Sequence, residues 1–370
     1  MMKLAFISRH PAPYRDEFIG RLVKTEGLSV DVFSELPFDE GHAFWGLKKP
    51  PYRAEIIAKE GVGKLRLCFR MLRRLVFGGY DFVVYPGHQS IYLIVPMLVG
   101  ALLGRRYCLS ADSVRLYNRM WFKHLIKKFV IRKAEFVFVP GECGKRFFMQ
   151  TFGVAAEKIC TGLYSFNGEA LSREVAALRS GRDALRRSLG VDAGRKVFLM
   201  VANMIPSRTY PMLTRAFASA SADRSDMCFV AVGKGPDLAD VQQIARENPS
   251  IKVVPGCSFD EMKRYYAIAD VYVHGGSEPA STALIIGAIV GLPLISSDAV
   301  GCSYDVLFDG KTGLKVQNHL SQKQWAEAFL RMMDLCNNWE EFGAAAREAS
   351  KSIDLDVSFK RFVRMLRKDA

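Results

Sequence analysis

The sequence predicts an α/β protein of two successive domains, each a parallel sheet covered by helices, and three observations carry that reading. The 370 residues are too many for one ordinary core and suit two. Short runs rich in β-branched and aromatic residues alternate with longer segments of helical spacing, the pattern of a parallel sheet flanked by helices. The alternation breaks near residue 165 and then begins again.

In the first half, strands are predicted at Lys3 to Ser8 (KLAFIS), Leu28 to Ser34 (LSVDVFS), Phe82 to Tyr85 (FVVY), Tyr107 to Ser110 (YCLS) and Glu135 to Pro140 (EFVFVP). In the second they fall at Lys196 to Ala202 (KVFLMVA), Cys228 to Gly233 (CFVAVG), Ile251 to Val254 (IKVV), Asp270 to Val273 (DVYV) and Leu294 to Ser297 (LISS). Between the halves, Ser165 to Gly194 is polar and contains Gly168, Gly181, Gly190 and Gly194, so it reads as a linker leading into a helix. The expected division is 1–166, 167–350 and a terminal segment 351–370. In that last segment Asp354 to Lys368 reads as an amphipathic helix with Phe359, Phe362, Val363 and Leu366 on one stripe.

Composition narrows the class. With 49% hydrophobic and 24% charged residues and no low-complexity tract, the chain reads as folded rather than disordered or fibrous. The longest apolar run, Ile91 to Leu103, is shorter than the ~20 residues that span a bilayer, and the first residues run straight into a strand pattern. Neither a signal peptide nor a membrane span is expected. The eight cysteines are scattered without a C-x-x-C pair, which argues against a disulfide framework or a metal site and fits a reducing cytoplasm. The net charge of +14 is uneven: residues 1–165 hold 26 Lys and Arg against 14 Asp and Glu, a surplus of 12, which leaves +2 for the rest. The first half should therefore meet an anionic partner, either nucleic acid or a membrane surface.

Ligands on open parallel sheets sit beyond the C-terminal strand ends, so the residues just after each strand are the candidates. After Lys196 to Ala202 comes Asn203-Met204-Ile205-Pro206-Ser207-Arg208, which brings Arg208 close to a helix N-terminus. A guanidinium beside free backbone N–H groups suits a diphosphate, although a solvated loop arginine looks the same in sequence. Gly233-Lys234-Gly235-Pro236 follows the next strand and is too short a motif to separate a phosphate cradle from a tight turn. The richest segment runs from Val271 to Ser297: strand, glycine turn, Glu278, a helix opened by Pro279 and closed at Gly291, then another strand. Glu278 could simply complement the helix dipole, or it could bind a sugar hydroxyl while N–H groups near Ser281 and Thr282 hold phosphate oxygens.

These motifs, taken in order, resemble the donor-binding core of the family 4 retaining glycosyltransferases. The run S-E-P-x-S, then G-L-P-L-I-S-S, is preceded by A-D-V-Y-V and followed by V-x-x-D-G-K-T-G-L at Val306 to Leu314. Upstream, Val201 to Arg208, Val230 to Pro236 and Val254 to Asp270 agree in order and spacing, so the likeness covers roughly residues 196 to 316. The opening Pro11-Ala12-Pro13-Tyr14-Arg15 also resembles the N-terminal domain of bacterial members that build surface polysaccharides.

The resemblance implies a GT-B fold, two Rossmann-like domains with parallel sheets facing across a cleft. It implies that Arg208 neutralises the donor diphosphate and Glu278 touches the donor sugar, that the main chain from Val254 to Gly256 faces the base, and that the Ser281 and Thr282 amides cap the phosphates. Two positions depart from the family. The second glutamate of its E-x7-E element, which clasps the ribose, is Ile286 here, and the arginine that partners the diphosphate lysine is Asn203. Losing a charged acceptor in a closed site costs about 1.5 to 3 kcal/mol unless another group compensates.

No D-x-D stands at a strand end, so no metal and no cofactor are expected, and Arg208 with helix dipoles would stabilise the leaving group. By resemblance, transfer retains anomeric configuration and the departing phosphate helps to deprotonate the acceptor. On the acceptor side, the residues past the first-half strands are Arg9, His10, Tyr14 and Arg15, then His88, then Asp112. His88 stands as a candidate catalytic histidine or, equally, as a surface histidine in a polar turn.

Leu116 to Lys133 alternates bulky apolar and basic residues at helical spacing, and Arg66, Arg70, Arg73 and Arg74 form a second basic face. Both fit a helix resting on anionic lipid, or a core-packed helix with a solvated face. No nucleic-acid module surrounds them, so nucleic acid is not expected.

The expected function is metal-independent, retaining transfer of a sugar from a nucleotide-diphosphate donor, UDP-sugar favoured, to a lipid-linked saccharide or other glycan precursor, in the cytoplasm and peripherally on the inner face of the membrane. A catalytically degenerate GT-B homologue, serving as a partner in a polysaccharide assembly complex, is the alternative that Ile286 and Asn203 suggest. A GT-B epimerase or phosphorylase is a third.

Overall fold

The computed structural model describes residues 1–9, 12–35, 50–57, 63–87, 90–112 and 121–367. The described residues divide into two compact units: the first takes those up to Ser165 together with residues 355–367, and the second takes Phe166–Asp354.

Unit 1 is built from β1 (Met2–Ser8), α1 (Pro13–Val23), β2 (Leu28–Ser34), β3 (Ala54–Ile56), α2 (Lys64–Phe77), β4 (Phe82–Tyr85), α3 (Ile91–Leu102), β5 (Tyr107–Ser110), α4 (Trp121–Lys133), β6 (Val137–Val139), α5 (Glu142–Phe152) and β7 (Ile159–Thr161). Its sheet has the order β3-β2-β1-β4-β5-β6-β7, and every pairing is parallel. The central strands carry near-continuous apolar runs because helices cover both faces. Leu4, Phe6, Phe82 and Val84 enter the core on one side, and Ala5, Ile7, Val83 and Tyr85 enter it on the other.

Unit 2 continues with α6 (Gly168–Arg179), α7 (Arg182–Ser188), β8 (Lys196–Val201), α8 (Tyr210–Ala220), β9 (Met227–Val232), α9 (Leu238–Arg246), β10 (Ile251–Val254), α10 (Phe259–Ile268), β11 (Val271–Val273), α11 (Thr282–Ile289), β12 (Leu294–Ser296), α12 (Ser303–Val306), β13 (Gly313–Lys315), α13 (Gln322–Asp334) and α14 (Trp339–Ser350). Its sheet has the order β10-β9-β8-β11-β12-β13, again wholly parallel. The predicted fold of two parallel-sheet, Rossmann-like domains is what the chain forms.

Three short strands escaped the sequence reading: β3, β7 and β13 are three residues each and too brief to show a period. The stretch read as a linker is instead α6 and α7. Asn167 caps α6 by accepting from the Ala170 amide at 3.0 Å, and Leu171 and Val175 are buried. Arg186 of α7 is buried too, and it joins Arg182 in gripping Asp270, each at 2.7 Å, while Asp270 also accepts the Val197 amide at 2.7 Å. Asp270 thus fastens α7 to the starts of β8 and β11. Its place in the A-D-V-Y-V motif is structural.

The last helix, α15 (Leu355–Leu366), belongs to unit 1. Phe362 meets Phe18, Phe136 and Phe138 with ring centroids 5.2, 5.3 and 5.2 Å away, and Leu355, Phe362 and Leu366 are fully buried. Gly162 makes this seat possible: at φ +105°, a Cβ there would lie 1.9 Å from Ser358 Oγ.

Candidate functional site

Strand order reverses direction once in each sheet, between β1 and β4 in unit 1 and between β8 and β11 in unit 2. A crevice opens at such a switch point beyond the C-terminal strand ends, and the charged candidates gather at both.

In unit 2, the loop after β8 carries Asn203 and Arg208, and the loop after β11 carries Glu278. Two glycines let these loops meet. A Cβ on Gly276, which has φ +84°, would lie 2.1 Å from Ser207 O and 2.5 Å from Arg208 Cα; one on Gly275 would press into Leu213 at 2.5 Å. The Ser277 amide donates to Ser207 O at 2.8 Å. On the other side, the Glu278 amide donates to Ala299 O at 3.0 Å and its carbonyl accepts from Gly301 at 2.8 Å. The backbone of Glu278 is therefore fixed on both sides before its side chain makes any contact.

The carboxylate holds two partners at once. Oε2 pairs with Arg208 Nη2, and Oε1 meets Nε2 of His274, a residue only 1% exposed. Behind His274, Nδ1 lies 3.1 Å from Tyr272 OH and 3.3 Å from Ser281 Oγ, and Tyr272 OH donates to Val201 O at 3.2 Å. The Ser281 oxygen accepts the Leu284 amide at 3.2 Å, which leaves its proton for Nδ1. Nε2 then carries the hydrogen and donates to Glu278. Burial pushes the Tyr272 phenol well up, so it stays a neutral donor. Arg208 Nε is buried with no hydrogen-bond partner among the described residues, so the guanidinium has donor capacity that Glu278 does not use. The same turn places Thr209 at φ +53°, in the left-handed region.

The other donor-side candidates are placed differently. Ser281 caps α11 with its side chain, and its amide donates to Cys302 Sγ at 3.2 Å while that sulfur donates back to Ser281 O at 3.3 Å. Burial pushes the Cys302 thiol well up and keeps its proton for this bond. Of the two amides expected to cap phosphates, Ser281's is thus already engaged; Thr282 opens the helix and is half-buried. The Val254 carbonyl accepts from Gly233 at 3.0 Å and from Gly256 at 2.7 Å, so it has no free lone pair to face a base. Gly256 itself turns at φ +86°. Ile286 is 2% exposed and packs into the unit. The G-x-G turn is a close backbone approach: a Cβ on Gly233 would lie 2.0 Å from Ala202 O, and one on Gly235 would lie 2.3 Å from Met204 O.

In unit 1 the switch point forms a cavity of about 270 Å³ lined by Ser8, Arg9, Arg15, Glu35, Tyr92 and Asp112, among others. Arg15 is buried and donates to Ser8 Oγ at 3.3 Å. Asp112 accepts from Tyr164 OH at 2.6 Å, and Tyr14 packs edge-on to Tyr164 with centroids 4.8 Å apart. Burial raises the Tyr14 and Tyr164 phenols, keeping them neutral. Tyr14, Arg15 and Asp112 are thereby brought together, whereas His10 and His88 lie outside the described residues. The sequence reading missed His274 and Glu35. His274 directly follows an apolar strand and reads as core; Glu35 directly follows β2 and satisfied the strand-end rule that selected the others.

Two parallel-sheet units, each with a charged cluster at its switch point, define the GT-B architecture. Residues 181–349, most of unit 2, match the family model described as glycosyl transferases group 1. The D-inositol 3-phosphate glycosyltransferase of Rhodococcus erythropolis is 26% identical over 200 residues, which span 51% of this chain and 45% of that one, less than half its length. Among solved structures, HepE of Anabaena in complex with UDP is 14% identical with a TM-score of 0.78, covering 100% of both chains. A glycosyltransferase of Rickettsia africae is 13% identical with a TM-score of 0.79, covering 100% of this chain and 99% of that one. At these identities the structural likeness speaks for the fold.

Proposed function

We propose that the chain transfers a glycosyl group from a nucleoside diphosphate sugar, UDP-sugar favoured, to a hydroxyl of a lipid-linked saccharide or other glycan precursor. The observation that carries this is Arg208, a half-buried guanidinium at the unit 2 switch point, paired with one carboxylate and retaining an unpartnered Nε. A diphosphate has more charge and more acceptor oxygens than Glu278 and can use both faces of the guanidinium fork. The crystallised complex of HepE with UDP supports the choice of nucleotide.

In this reading the anomeric C–O bond to the diphosphate breaks, the acceptor oxygen bonds to the same carbon, and the acceptor proton ends on the departing diphosphate. Arg208 stabilises the charge that develops on the leaving group, and no metal is required. Glu278, released from Arg208 by the diphosphate, turns Oε2 to a donor-sugar hydroxyl while His274 holds Oε1. Anomeric configuration is retained.

The location proposed is the inner face of the membrane, with unit 1 against anionic lipid. No helix among the described residues is long and apolar enough to cross a membrane. On α2, Leu65 and Phe69 are 87% and 70% exposed beside Lys64, Arg66 and Arg73, while Arg70 and Arg74 are drawn to Glu55 at 2.9 and 2.6 Å. On α4, Leu125 and Phe129 share a groove with Lys128, Arg132, Lys133 and Lys158. Exposed apolar groups among cations suit a lipid headgroup boundary.

Calorimetry of the full chain with UDP, GDP and their sugars tests the donor reading. Binding of a UDP ligand is expected, and no binding to any of them would overturn it. Proton NMR of the first product bond reads the anomeric configuration, activity in EDTA checks metal independence, and flotation with anionic liposomes, with and without Lys127 and Lys128 neutralised, checks the lipid surface.

A further inference from the structure

The unit 1 cavity contains a group that the reading above does not use. Glu35 lies immediately after β2 and is 4% exposed, and its amide donates to Ser8 O at 2.8 Å, which pins it at the edge of the cavity. Its Oε1 accepts from both Ser90 Oγ and Tyr92 OH, each at 2.8 Å, and so is filled. Among the described residues no donor reaches Oε2. That oxygen is accessible from the cavity that Glu35 lines, where a hydroxyl of a ligand can donate to it.

The remaining lining decides what could supply that donor. Arg9 and Arg15 stand against Glu35 and Asp112, so the formal charge of the cavity is balanced. An anionic ligand would meet two carboxylates, and a cationic one would meet two guanidiniums. A neutral polyol, with hydroxyls that both donate and accept, satisfies both signs. Phe6, Ile7 and Leu163 add apolar wall for the C–H face of a ring. The volume, about 270 Å³, lies just below the ~300 Å³ at which ligand pockets begin, which suits one monosaccharide ring and is small for a nucleotide.

We infer that this cavity is a saccharide site and that Glu35 is its specificity-determining residue, receiving a ring hydroxyl on Oε2. Within the reaction proposed above, and resting on that reading, the site holds the terminal sugar of the acceptor. Ser90 and Tyr92 act as positioning residues that hold the carboxylate toward the cavity. A phosphorylated sugar is disfavoured next to Glu35.

The test uses the full chain and ligand-observed NMR titration with the methyl glycosides of glucose, galactose and mannose, with inorganic phosphate as the anionic probe. At least one methyl glycoside is expected to bind and to resist competition by phosphate. Glu35→Gln, which keeps size and one acceptor, is expected to weaken that glycoside about 10- to 100-fold, the range for a hydrogen bond to a charged group. Tyr92→Phe is expected to weaken it less and serves as the second variant if Glu35→Gln does not fold. The inference is overturned if no methyl glycoside binds, if the variants bind as the parent does, or if phosphate competes and Glu35→Gln tightens phosphate. Calorimetry with UDP on the same samples separates the two readings: glycoside binding without UDP binding refutes the donor proposal and leaves the saccharide site standing.

Discussion

The two switch points gather similar charges and satisfy them in opposite ways. In unit 1 the carboxylates of Glu35 and Asp112 are held by hydroxyls, from Ser90, Tyr92 and Tyr164. In unit 2 the single carboxylate, Glu278, is held by a cation and an imidazole. Hydroxyl partners leave a site that a neutral hydroxylated ligand can enter by exchanging like for like. A guanidinium–carboxylate pair that is mostly buried opens only to a ligand with stronger negative charge than the carboxylate, because each ion stripped of its partner in a low-dielectric site is costly. On the two readings proposed above, one sheet topology yields a site for a polyol and a site for a polyanion, according to which side chains follow the strands.

The sharpest way to break that contrast is to remove the cation. Arg208→Ala is expected to lower transfer by about 100- to 1,000-fold, the scale for losing a leading electrostatic donor, while glycoside binding in unit 1 stays unchanged. Steady-state kinetics beside the NMR titration reads both. A variant that keeps its turnover would mean that the polyanion site lies elsewhere.

Gly276→Ala attacks the same site through the backbone. With φ +84° and Ser207 O only 2.1 Å from the new Cβ, the loops after β8 and β11 must separate. A loss of about 3 kcal/mol in urea melts is expected, together with weaker UDP binding. Wild-type stability would show that the loops can part freely, and then Arg208 is not rigidly placed.

Ile286→Glu tests whether the family's ribose clasp can be restored. Because Ile286 is 2% exposed, the new carboxylate enters packed apolar surroundings, and the expected result is a loss of about 2 kcal/mol or more in stability with no gain in UDP affinity. Tighter UDP binding would show that position 286 reaches the nucleotide after all.

His274 is expected to matter less, through Glu278 rather than by touching the donor. His274→Leu should cut kcat/KM for the nucleotide sugar about 10-fold, the equivalent of one hydrogen bond to a charged group, and His274→Gln should recover part of it by keeping a side-chain N–H. A purely structural histidine would give equal effects for both substitutions, tracking melting temperature alone.

Much of this was legible in the sequence, for reasons that differ by residue. The strands LSVDVFS and FVVY match β2 and β4 end to end: FVVY is the continuous apolar run of a strand buried throughout, and LSVDVFS, partly exposed, sets apolar residues against polar Ser29 and Asp31 in alternation. The order of motifs from Val201 to Leu314 led to Arg208 and Glu278. Their pairing was not legible, since nothing local says that Gly275 and Gly276 exist to let two loops touch. Ser281 was read as a phosphate cap from its place at a helix start, but the thiol that engages its amide, Cys302, is 21 residues away. The linker reading of 165–194 failed because the arginines that make the stretch look solvated are the ones that bind Asp270 and the carbonyls of α10.

The smallest effect bears on the hydroxyl side of the contrast. Tyr164→Phe removes the 2.6 Å donor to Asp112 without changing shape, and the edge-on contact with Tyr14 remains possible. If hydroxyl partners are there to hold carboxylates ready for a polyol, the freed Asp112 oxygen accepts from the ligand instead, and because one hydroxyl donor replaces another, glycoside affinity should shift by no more than about threefold. Glycoside binding abolished by Tyr164→Phe, with the melting temperature intact, would mean that Asp112 needs a fixed orientation, and the two carboxylates of unit 1 would then differ in kind.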